Sequence, residues 1–389
     1  MKIKVINRPP NDLFTMRLFY RLVHDVTVPA NAIYMWTLFV DKYLDPLSDT
    51  NNEPTTRREL VNAIDTDLVI LGIKDHFTGG WFNPYIESKP NLLIYFEQMF
   101  EFYSDKTFIV FTSTENLKFN SPNAHVINWG GDLTNQQFEY RNLEPVTDKN
   151  LDSKFSYISL NRNHRYHRTF ALSALYGLDL QDTGFITCMF QDDLPETIED
   201  MNCPLTSDTE TVFRQGFTKL KSAVLTKQDD YKIYPKLNND NVSNFKNCLS
   251  NYYKDTFVEI ITETSFTESC YLLTEKTLNS IYGCNFPILL CGKGSVSFLR
   301  NMGLDVFDDV IDHSYDDIAD PLQRIFFAIE RNKGILNNPA LAKRLWVENR
   351  QRFLKNIEFA KTDLYKYYQT RTEQQWKNLR YLYDNISQR

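Results

Sequence analysis

Short apolar runs alternate with amphipathic segments over the first third of the chain. Four of the runs have the length and composition of strands: Ile3–Ile6, Asp67–Ile73, Thr107–Thr112 and His125–Trp129. Mixed segments such as Leu92–Tyr103 separate them. Strands that alternate with helices are typical of βαβ units, so the pattern predicts an α/β fold with a mainly parallel sheet.

A polar stretch with little apolar content, Asn142–Ser153, interrupts this alternation and predicts a linker. The alternation resumes with a strand at Phe155–Leu160 and an apolar helix at Thr169–Tyr176, while weak patterning at Asp192–Asn251 predicts loops and short helices. The chain has 389 residues, more than one core usually serves. We therefore predict two α/β domains, residues 1–150 and 151–335.

The last part of the chain carries helical signals. Asp320-Pro321 and Asn338-Pro339 each place an N-cap residue before a proline at the first helical position, which predicts two closing helices. Apolar residues at helical spacing form a stripe in the second of them: Trp346, Phe353, Ile357, Ala360 and Leu364. Residues 336–389 are thus predicted to be C-terminal helices that pack on the body of the protein.

A strand-helix-strand unit carries the charged residues with the clearest chemical meaning. Thr274-Glu275-Lys276 opens a predicted helix between Phe257–Ile261 and Phe286–Leu290, and the second run ends in Gly292-Lys293-Gly294. This arrangement is typical of α/β domains that present charges to a phosphorylated ligand. Lys276, at the positive end of the helix, would contact a pyrophosphate, and Glu275 would accept hydrogen bonds from ribose hydroxyls.

A second basic cluster follows the strand at Phe155–Leu160. Arg165 and Arg168 would bind the same phosphates bidentately, provided that the two clusters converge in the fold. The alternative interpretation is a solvated basic face that pairs with carboxylates. His164 and His167, between these arginines, are predicted to be surface groups.

Composition narrows the possible classes of protein. The low glycine content and the absence of GxGxxG and GxxxxGK[ST] motifs argue against an NAD fingerprint or a P-loop. The six cysteines form no CxxC pair, which favours free thiols in a reducing compartment. No stretch has the length of a membrane span, so we expect a cytoplasmic protein, in the host cytoplasm if it is virus-encoded.

Charge is unevenly distributed along the chain. The net charge is −7, but residues 343–389 alone carry +6. Cations in this tail alternate with aromatic residues, including Tyr365, Tyr368 and Trp376. The pattern suits contact with nucleic acid or with an anionic membrane surface, and it equally suits a helix that packs its aromatic face across both domains.

The segment Phe257–Gly292 resembles the donor-binding segment of the α-1,3-fucosyltransferases and their bacterial and phage-encoded relatives. In that family a Glu-Asn-Ser triplet precedes Thr-Glu-Lys, and here Glu263-Thr264-Ser265 precedes Thr274-Glu275-Lys276. The stretch Ser159–Leu175, with Asn161 and Arg168, is similar to the family segment whose arginine contacts the pyrophosphate. Thr264 departs from the family pattern, which has asparagine at this place.

A weaker resemblance lies in the first half of the chain. Thr107–Asn123 is similar to the family strand that is followed by Gly-Glu-Asn, whose glutamate is the general base. Glu115-Asn116 match this motif, although Ser113-Thr114 replace its glycine. Glu115 as an ordinary turn residue is the alternative.

The resemblance implies a GT-B glycosyltransferase with two Rossmann-like domains that face a cleft. It would use a nucleotide-diphosphate sugar, need no metal or other cofactor, and invert the anomeric centre. Glu115 would be the catalytic base, and the resemblance and the residue chemistry together give the following donor-binding set: Asn161, Arg165, Arg168, Glu263, Thr274, Glu275 and Lys276. The phage-encoded relatives suggest a glycan or a hydroxymethylated DNA base as acceptor, although an acidic body disfavours extensive contact with duplex DNA.

Other residues offer alternatives for the acceptor side and for metal binding. Asp75 and His76 follow a predicted strand, and Asp132 follows a Trp-Gly-Gly sequence, so all three are candidates on the acceptor side. Asp65-Thr66-Asp67 spells a DxD motif but precedes its strand, which favours a turn over a metal site. The acidic segment Asp305–Asp317 is predicted to be a solvated loop. A non-catalytic nucleotide-binding module is the alternative function.

Overall fold

A computed structural model of the chain describes its fold. The described residues are 4–6, 33–37, 68–73, 97, 100–112, 115, 117–128, 140–162, 164–188, 190, 194–201, 203–226, 244–263, 266 and 273–386. In this part of the chain, helices combine with two parallel sheets, which confirms the predicted α/β class.

The chain divides into two compact units. Unit 1 consists of Met1–Phe82, Lys89–Gly131 and Tyr368–Arg389, and unit 2 consists of Asn83–Ser88 and Asp132–Tyr367. The first long stretch of unit 1 thus ends at Gly131 and not at the predicted residue 150. Of the predicted C-terminal region, residues 336–367 belong to unit 2 and residues 368–389 to unit 1, so the boundary falls within the last helix.

Five parallel strands form the sheet of unit 1 in sequential order. They are β1 Lys4–Ile6, β2 Ile33–Thr37, β3 Leu68–Ile73, β4 Thr107–Thr112 and β5 Ala124–Asn128. Four of them confirm the strands predicted from the sequence. The prediction missed β2, because it belongs to a long apolar stretch that periodicity alone cannot assign to a helix or a strand.

Four parallel strands form the sheet of unit 2: β6 Tyr157–Ser159, β7 Gly184–Ile186, β8 Val258–Thr262 and β9 Phe286–Leu290. Their order is β7-β6-β8-β9, so the chain extends the sheet from β6 first in one direction and then in the other. Because β-α-β crossovers are right-handed, the helices that follow β6 and β8 leave toward opposite faces. The carboxyl ends of these two strands therefore flank a crevice, the usual ligand site of such sheets.

Helices account for most of the remaining described residues. The α-helices are α1 Tyr166–Gly177, α2 Ser207–Thr226, α3 Ser250–Lys254, α4 Glu275–Gly283, α5 Ser295–Met302, α6 Pro321–Glu330, α7 Lys333–Leu336, α8 Pro339–Glu348 and α9 Arg350–Ile386. Short 3-10 turns lie at Gln181–Thr183, Glu199–Met201 and Ser314–Asp317, and a π turn lies at Phe245–Leu249.

The 20-residue helix α2 lies where loops and short helices were predicted. Phe213, Phe217 and Leu220 recur at helical spacing and are buried, a period that the surrounding polar residues conceal. Gly216 lets α2 approach α1 closely, because a Cβ atom at this position would overlap the carbonyl oxygen of Ser173.

Four helices, α6 to α9, close the chain where two were predicted. Both predicted N-caps are confirmed: Asp320 accepts the N–H of Gln323 at 2.7 Å, and Asn338 accepts that of Leu341 at 3.0 Å. α8 ends at Glu348, with Asn349 as its C-cap, so the predicted stripe is divided between two helices. Its members are buried nonetheless: Trp346, Phe353, Ile357, Ala360 and Leu364.

The segment predicted to be a linker is an integral part of unit 2. The backbone N–H of Val146 donates to the carbonyl oxygen of Tyr282 at 2.7 Å, and that of Asn150 donates to the carbonyl oxygen of Lys254 at 2.8 Å. The buried Nζ of Lys149 donates to four oxygens at 2.5–2.8 Å: the carbonyls of Tyr253, Thr256 and Gly283 and Oδ1 of Asn285. Burial lowers the pKa of Lys149 to about 7, and the charges of Cys284, Glu259 and Asp255 oppose that shift only in part.

Candidate functional site

Asn161 joins three strands at the carboxyl edge of the sheet in unit 2. Its backbone N–H donates to Oγ1 of Thr187, just beyond β7, at 2.8 Å. Its amide donates to Oγ of Ser159 in β6 at 3.0 Å and accepts from Oγ1 of Thr262 in β8 at 3.1 Å. The side chain is fully buried, so its hydrogen bonds hold the crevice together.

The two predicted basic clusters meet at this crevice. A cavity of about 90 Å³ lies here, and both Arg168 and Lys276 line it, together with Arg162, Thr262 and Glu275. The volume is smaller than the roughly 300–1,000 Å³ of complete ligand pockets. A large ligand would therefore place one end inside and leave the rest at the mouth.

Arg168 brings a guanidinium group to the crevice from the first turn of α1. It is 4% exposed, and its Nη2 donates to the carbonyl oxygen of Thr262 at 3.4 Å. Burial and the neighbouring Arg165 lower its pKa to about 10, while Glu263 and Glu275 oppose the shift. The group therefore remains a cation at neutral pH.

Lys276 is held by the capping residues of α4. Its Nζ lies 2.9 Å from Oγ1 of Thr274 and 3.1 Å from Oε1 of Glu275. The fully buried Glu263 accepts from the backbone N–H and the hydroxyl of Thr274 at 3.0 and 2.6 Å, and from the hydroxyl of Thr277 at 2.7 Å. Glu263 and Thr274 thus fix the start of α4 and the position of the ammonium group.

The charges that line the cavity sum to a positive value. Burial would raise the pKa of Glu275, but the charge of Lys276 and several hydrogen bonds outweigh it, and the pKa is lowered. Burial raises the pKa of Glu259, a further lining residue, to about 8, so that side chain is neutral at pH 7. The cations that line the cavity, Arg162, Arg168 and Lys276, thus outnumber its ionised carboxylate, Glu275, while Glu263 lies behind Lys276 with Oε2 3.8 Å from Nζ.

Three helix N-termini follow the strands of this edge, and they differ in their caps. No side chain caps α1, whereas Oγ1 of Thr274 accepts the N–H of Lys276 in α4. At α5, which follows Gly292-Lys293-Gly294, Asp316 accepts the N–H groups of Val296 and Ser297. Among these three described helices, α1 is thus the one whose N-terminus has no capping side chain, whereas an internal carboxylate occupies the glycine-flanked site.

The acidic segment Asp305–Asp317 is not simply a solvated loop. Arg352 pairs with Asp305 at 2.6 Å and with Asp309 at 2.8 Å, and Arg300 pairs with Asp308 at 2.6 Å. Asp316 itself is 4% exposed. Four carboxylates of this segment serve the fold, because Asp305, Asp308 and Asp309 pair with guanidinium groups and Asp316 caps α5.

His167 is buried, in contrast to the predicted surface position. Burial and the charge of Arg168 lower its pKa well below the ordinary value, so the ring is neutral. Its Nε2 lies 2.8 Å from the carbonyl oxygen of Glu263 and donates to it, while the ring stacks on Phe266. This contact ties the first turn of α1 to the end of β8 and positions Arg168.

Glu115, the predicted base, lies in unit 1 and is 1% exposed. Its Oε2 accepts from Nη1 of Arg371 in α9 at 2.7 Å, and Tyr368 also hydrogen-bonds to the carboxylate. Burial raises the pKa of Glu115, and the contacts with Arg371 and Tyr368 only partly reverse this. The carboxylate is thus anchored to the C-terminal helix.

The remaining predicted site residues have different outcomes. Arg165 is the N-cap residue of α1, and its charge lowers the pKa of Arg168. It is not among the residues that line the cavity. Asp75, His76 and Asp132 lie outside the described residues.

Metal binding, membrane insertion and cysteine pairing can be judged for the described residues alone. Among them, no group of three or more His, Cys, Asp or Glu side chains could hold a metal ion. Within the same ranges, every helix is too short or too polar to cross a bilayer. Five cysteines have free thiols: Cys188, Cys203, Cys248, Cys284 and Cys291.

Sequence reasoning missed several residues of the cavity, and two of them bear on its chemistry. Glu259 and Asn279 both line it, one from the middle of β8 and one from the second turn of α4. The sequence contained a signal for Glu259, because a single carboxyl group interrupts the apolar run Phe257–Ile261.

Comparison with protein-family models, curated proteins and solved structures finds no match for this chain.

Proposed function

We propose that the chain is a glycosyltransferase that moves a sugar from a nucleotide-diphosphate sugar to an acceptor hydroxyl. One observation carries the proposal: Arg168 and Lys276, more than one hundred residues apart, line one cavity at the first turns of α1 and α4. Cations at helix N-termini beside the point where the strand order reverses form a site for a phosphorylated ligand.

The proposed site acts mainly on the leaving group. When the acceptor oxygen bonds to the anomeric carbon, the bond from that carbon to the phosphate oxygen breaks, and its electron pair passes to the nucleoside diphosphate. Arg168 and Lys276 stabilise this charge as it develops, as pre-organised cations do in phosphoryl and glycosyl transfer. Glu275, ionised at the cavity wall, accepts hydrogen bonds from the ribose hydroxyls.

Glu115 is the proposed general base and takes the proton of the acceptor hydroxyl, whose oxygen displaces the nucleoside diphosphate in one step from the opposite face and so inverts the anomeric centre. Burial raises the pKa of Glu115 above the ordinary value, which makes the ionised carboxylate a stronger base. In the finer structural proposal, the two parallel sheets are the Rossmann-like halves of a GT-B enzyme. The strand order β7-β6-β8-β9 supports nucleotide binding by unit 2, because it contains a reversal point.

Turnover of a panel of nucleotide-diphosphate sugars tests the proposal, with release of nucleoside diphosphate as the readout and the chain itself, glycans and hydroxymethylated DNA as acceptors. We expect release with one donor, and its loss in Arg168→Met. Salt dependence of binding to modified duplex DNA separates the acceptor classes. Absence of binding to every nucleoside diphosphate at low salt would remove the transferase proposal.

A non-catalytic nucleotide-binding module is the second candidate, and a specific observation favours it. Glu115 is 1% exposed and paired with Arg371, so its carboxylate serves the packing of α9. A module would bind a nucleoside diphosphate through Arg168 and Lys276 without turnover. Binding in wild type and in Glu115→Gln with equal affinity, and no sugar release from any donor, would establish this alternative.

A further inference from the structure

Glu259 places a carboxyl group in the middle of the buried strand β8. It is 3% exposed, and its neighbours along the strand, Val258 and Ile260, are core residues. Carboxyl groups are rarely buried so deeply without full hydrogen bonding or a partner charge. The proposed role of Arg168 and Lys276 does not explain this residue.

The two oxygens of Glu259 have different surroundings. Oε1 accepts from the hydroxyl of Tyr253 at 2.7 Å, whereas Oε2 is buried and has no hydrogen-bond partner. Ser280 approaches the carboxyl group, but its hydroxyl donates to the carbonyl oxygen of Asn285 at 3.5 Å. An unsatisfied buried oxygen costs free energy, and such atoms in native proteins call for an explanation.

The cavity offers an explanation for the unsatisfied oxygen, since Glu259 lines this cavity together with Arg168 and Lys276. A strand rises about 3.3 Å per residue, so Glu259 lies roughly 10 Å along β8 from Thr262 at the carboxyl edge. Asn279 lies one helical turn beyond Lys276 in α4. The cavity therefore has a cationic end at the edge of the sheet and an uncharged polar end behind it.

Both groups at the uncharged end present hydrogen-bond donors. Burial raises the pKa of Glu259 to about 8, and with Oε1 accepting from Tyr253 the proton of the neutral acid resides on Oε2. The amide of Asn279, which also lines the cavity, accepts from the hydroxyl of Tyr140 through Oδ1 at 2.6 Å and has Nδ2 as its donor group. Two hydrogen-bond donors favour a ligand that has acceptor atoms at this position and disfavour a ligand that has amino groups there.

We propose that Glu259 is a specificity residue that donates a hydrogen bond to a carbonyl-bearing nucleobase of the bound nucleoside diphosphate, with Asn279 as the second donor. The inference rests on the proposed binding of a nucleoside diphosphate by Arg168 and Lys276. A base with a carbonyl oxygen at this edge, such as guanine or uracil, is accepted. Adenine, which has an amino group and no carbonyl, is disfavoured because a buried donor would face another donor.

Isothermal titration of the full chain with pyrophosphate, GDP, UDP and ADP tests this inference. At pH 7 we expect GDP or UDP to bind about tenfold more tightly than ADP, and Glu259→Leu to abolish that ratio while pyrophosphate affinity stays unchanged. Glu259→Gln keeps a donor and a similar shape, so it retains the ratio. It also serves as the comparison if the leucine variant fails to fold.

A pH series adds a readout that a merely structural role would not move. From about pH 7 to about pH 8.5 the wild-type ratio should fall as Glu259 loses its proton, whereas the ratio in Glu259→Gln should stay constant. The charged and titratable groups around Glu259 that contribute to this titration are Tyr253, Lys149 and Glu263.

The outcomes separate the two proposals. An ADP preference, or a base preference that Glu259→Leu leaves intact, would overturn the role of Glu259 alone. Failure of pyrophosphate and of all three nucleotides to bind the wild-type chain would overturn the proposed function, and the inference with it.

Discussion

The carboxylate of Asp316 accepts the backbone N–H of Val296 at 3.2 Å and thereby caps α5 with an anion of the protein itself. The preceding sequence, Gly292-Lys293-Gly294, has the glycine and lysine content of a phosphate loop. Because Asp316 already satisfies the N–H groups of this helix, an external phosphate would meet a carboxylate. Lys293 is consequently a suitable negative control for Lys276.

Lys276→Met should weaken the binding of nucleoside diphosphates about ten- to a hundredfold, because a charge-assisted contact to the phosphates is lost. Lys293→Met removes the same charge from an exposed position and should leave affinity within about twofold. Titration calorimetry at one fixed salt concentration measures both. Equal losses in the two variants would show that net charge and not the cavity attracts the ligand.

Glu263→Ala should lower the free energy of unfolding by about 2–4 kcal/mol, because the donors of Thr274 and Thr277 lose their buried acceptor. Thr277→Val removes one of the three hydrogen bonds and should cost about 1 kcal/mol. Urea denaturation gives both values. A change below about 0.5 kcal/mol in Glu263→Ala would contradict the anchoring role and return Glu263 to the residues that contact ligand.

Lys149→Met should destabilise the protein by about 3–5 kcal/mol, since four buried oxygens lose the ammonium group that they surround. Lys254→Met changes the same residue type at an exposed position of α3 and should stay within about 0.5 kcal/mol of wild type. Thermal and urea unfolding measure the difference. Similar stabilities of the two variants would mean that the segment around Lys149 is held by its backbone hydrogen bonds instead.

Arg371→Met should move the acid limb of kcat/KM toward higher pH. Arg371 lowers the pKa of Glu115 against the effect of burial, so its removal raises that pKa further and protonates the proposed base at a higher pH. Glu115→Gln should reduce kcat at least about a hundredfold. A pH profile that Arg371→Met leaves unshifted, alongside an active Glu115→Gln, would show that the pair only anchors α9.

Glu259 should make the free energy of unfolding fall as pH rises from about 5 to about 7, whereas His167 and His313, whose pKa values are lowered, give a slope of the opposite sign below about pH 6.5. Between the ordinary pKa of 4.5 and the value of about 8 in the folded protein, folded Glu259 keeps a proton that the unfolded chain releases, so the folded state binds more protons. Lys149 contributes the opposite slope, but only from about pH 7 to about pH 10.5. Glu259→Gln should remove up to about 1.4 kcal/mol per pH unit of the slope below pH 7.

Strands and helix caps could be predicted from the sequence wherever a local pattern of residues determines them. β4 and β9 were predicted with their observed bounds, and the Asp320 and Asn338 caps depend on neighbouring residues only. β2 was missed because its apolar residues show no period. The break at Asn349 was missed because the apolar stripe continues across it while the backbone does not.

The sequence predicted which residue types form the candidate site, but it did not predict which of them face the cavity and which stabilise the surrounding structure. Residue type and spacing selected Arg168 and Lys276, and the fold brings them to one cavity. Whether a polar side chain faces a ligand or its own neighbours depends on tertiary contacts that the sequence does not contain. Asn161 and Glu263 hold neighbouring elements together, although Asn161 also lines the cavity, and His167 is buried.

The reversal of strand order between β6 and β8 has a consequence for how this protein can change. A pocket that results from the strand order does not require a cavity in the hydrophobic core. The side chains at its mouth therefore contribute little to the stability of the fold. Ligand choice can then be retuned at positions such as 168 and 279 while residues 149, 161 and 263 maintain the scaffold. Engineering of ligand preference should accordingly begin with the former set and leave the latter untouched.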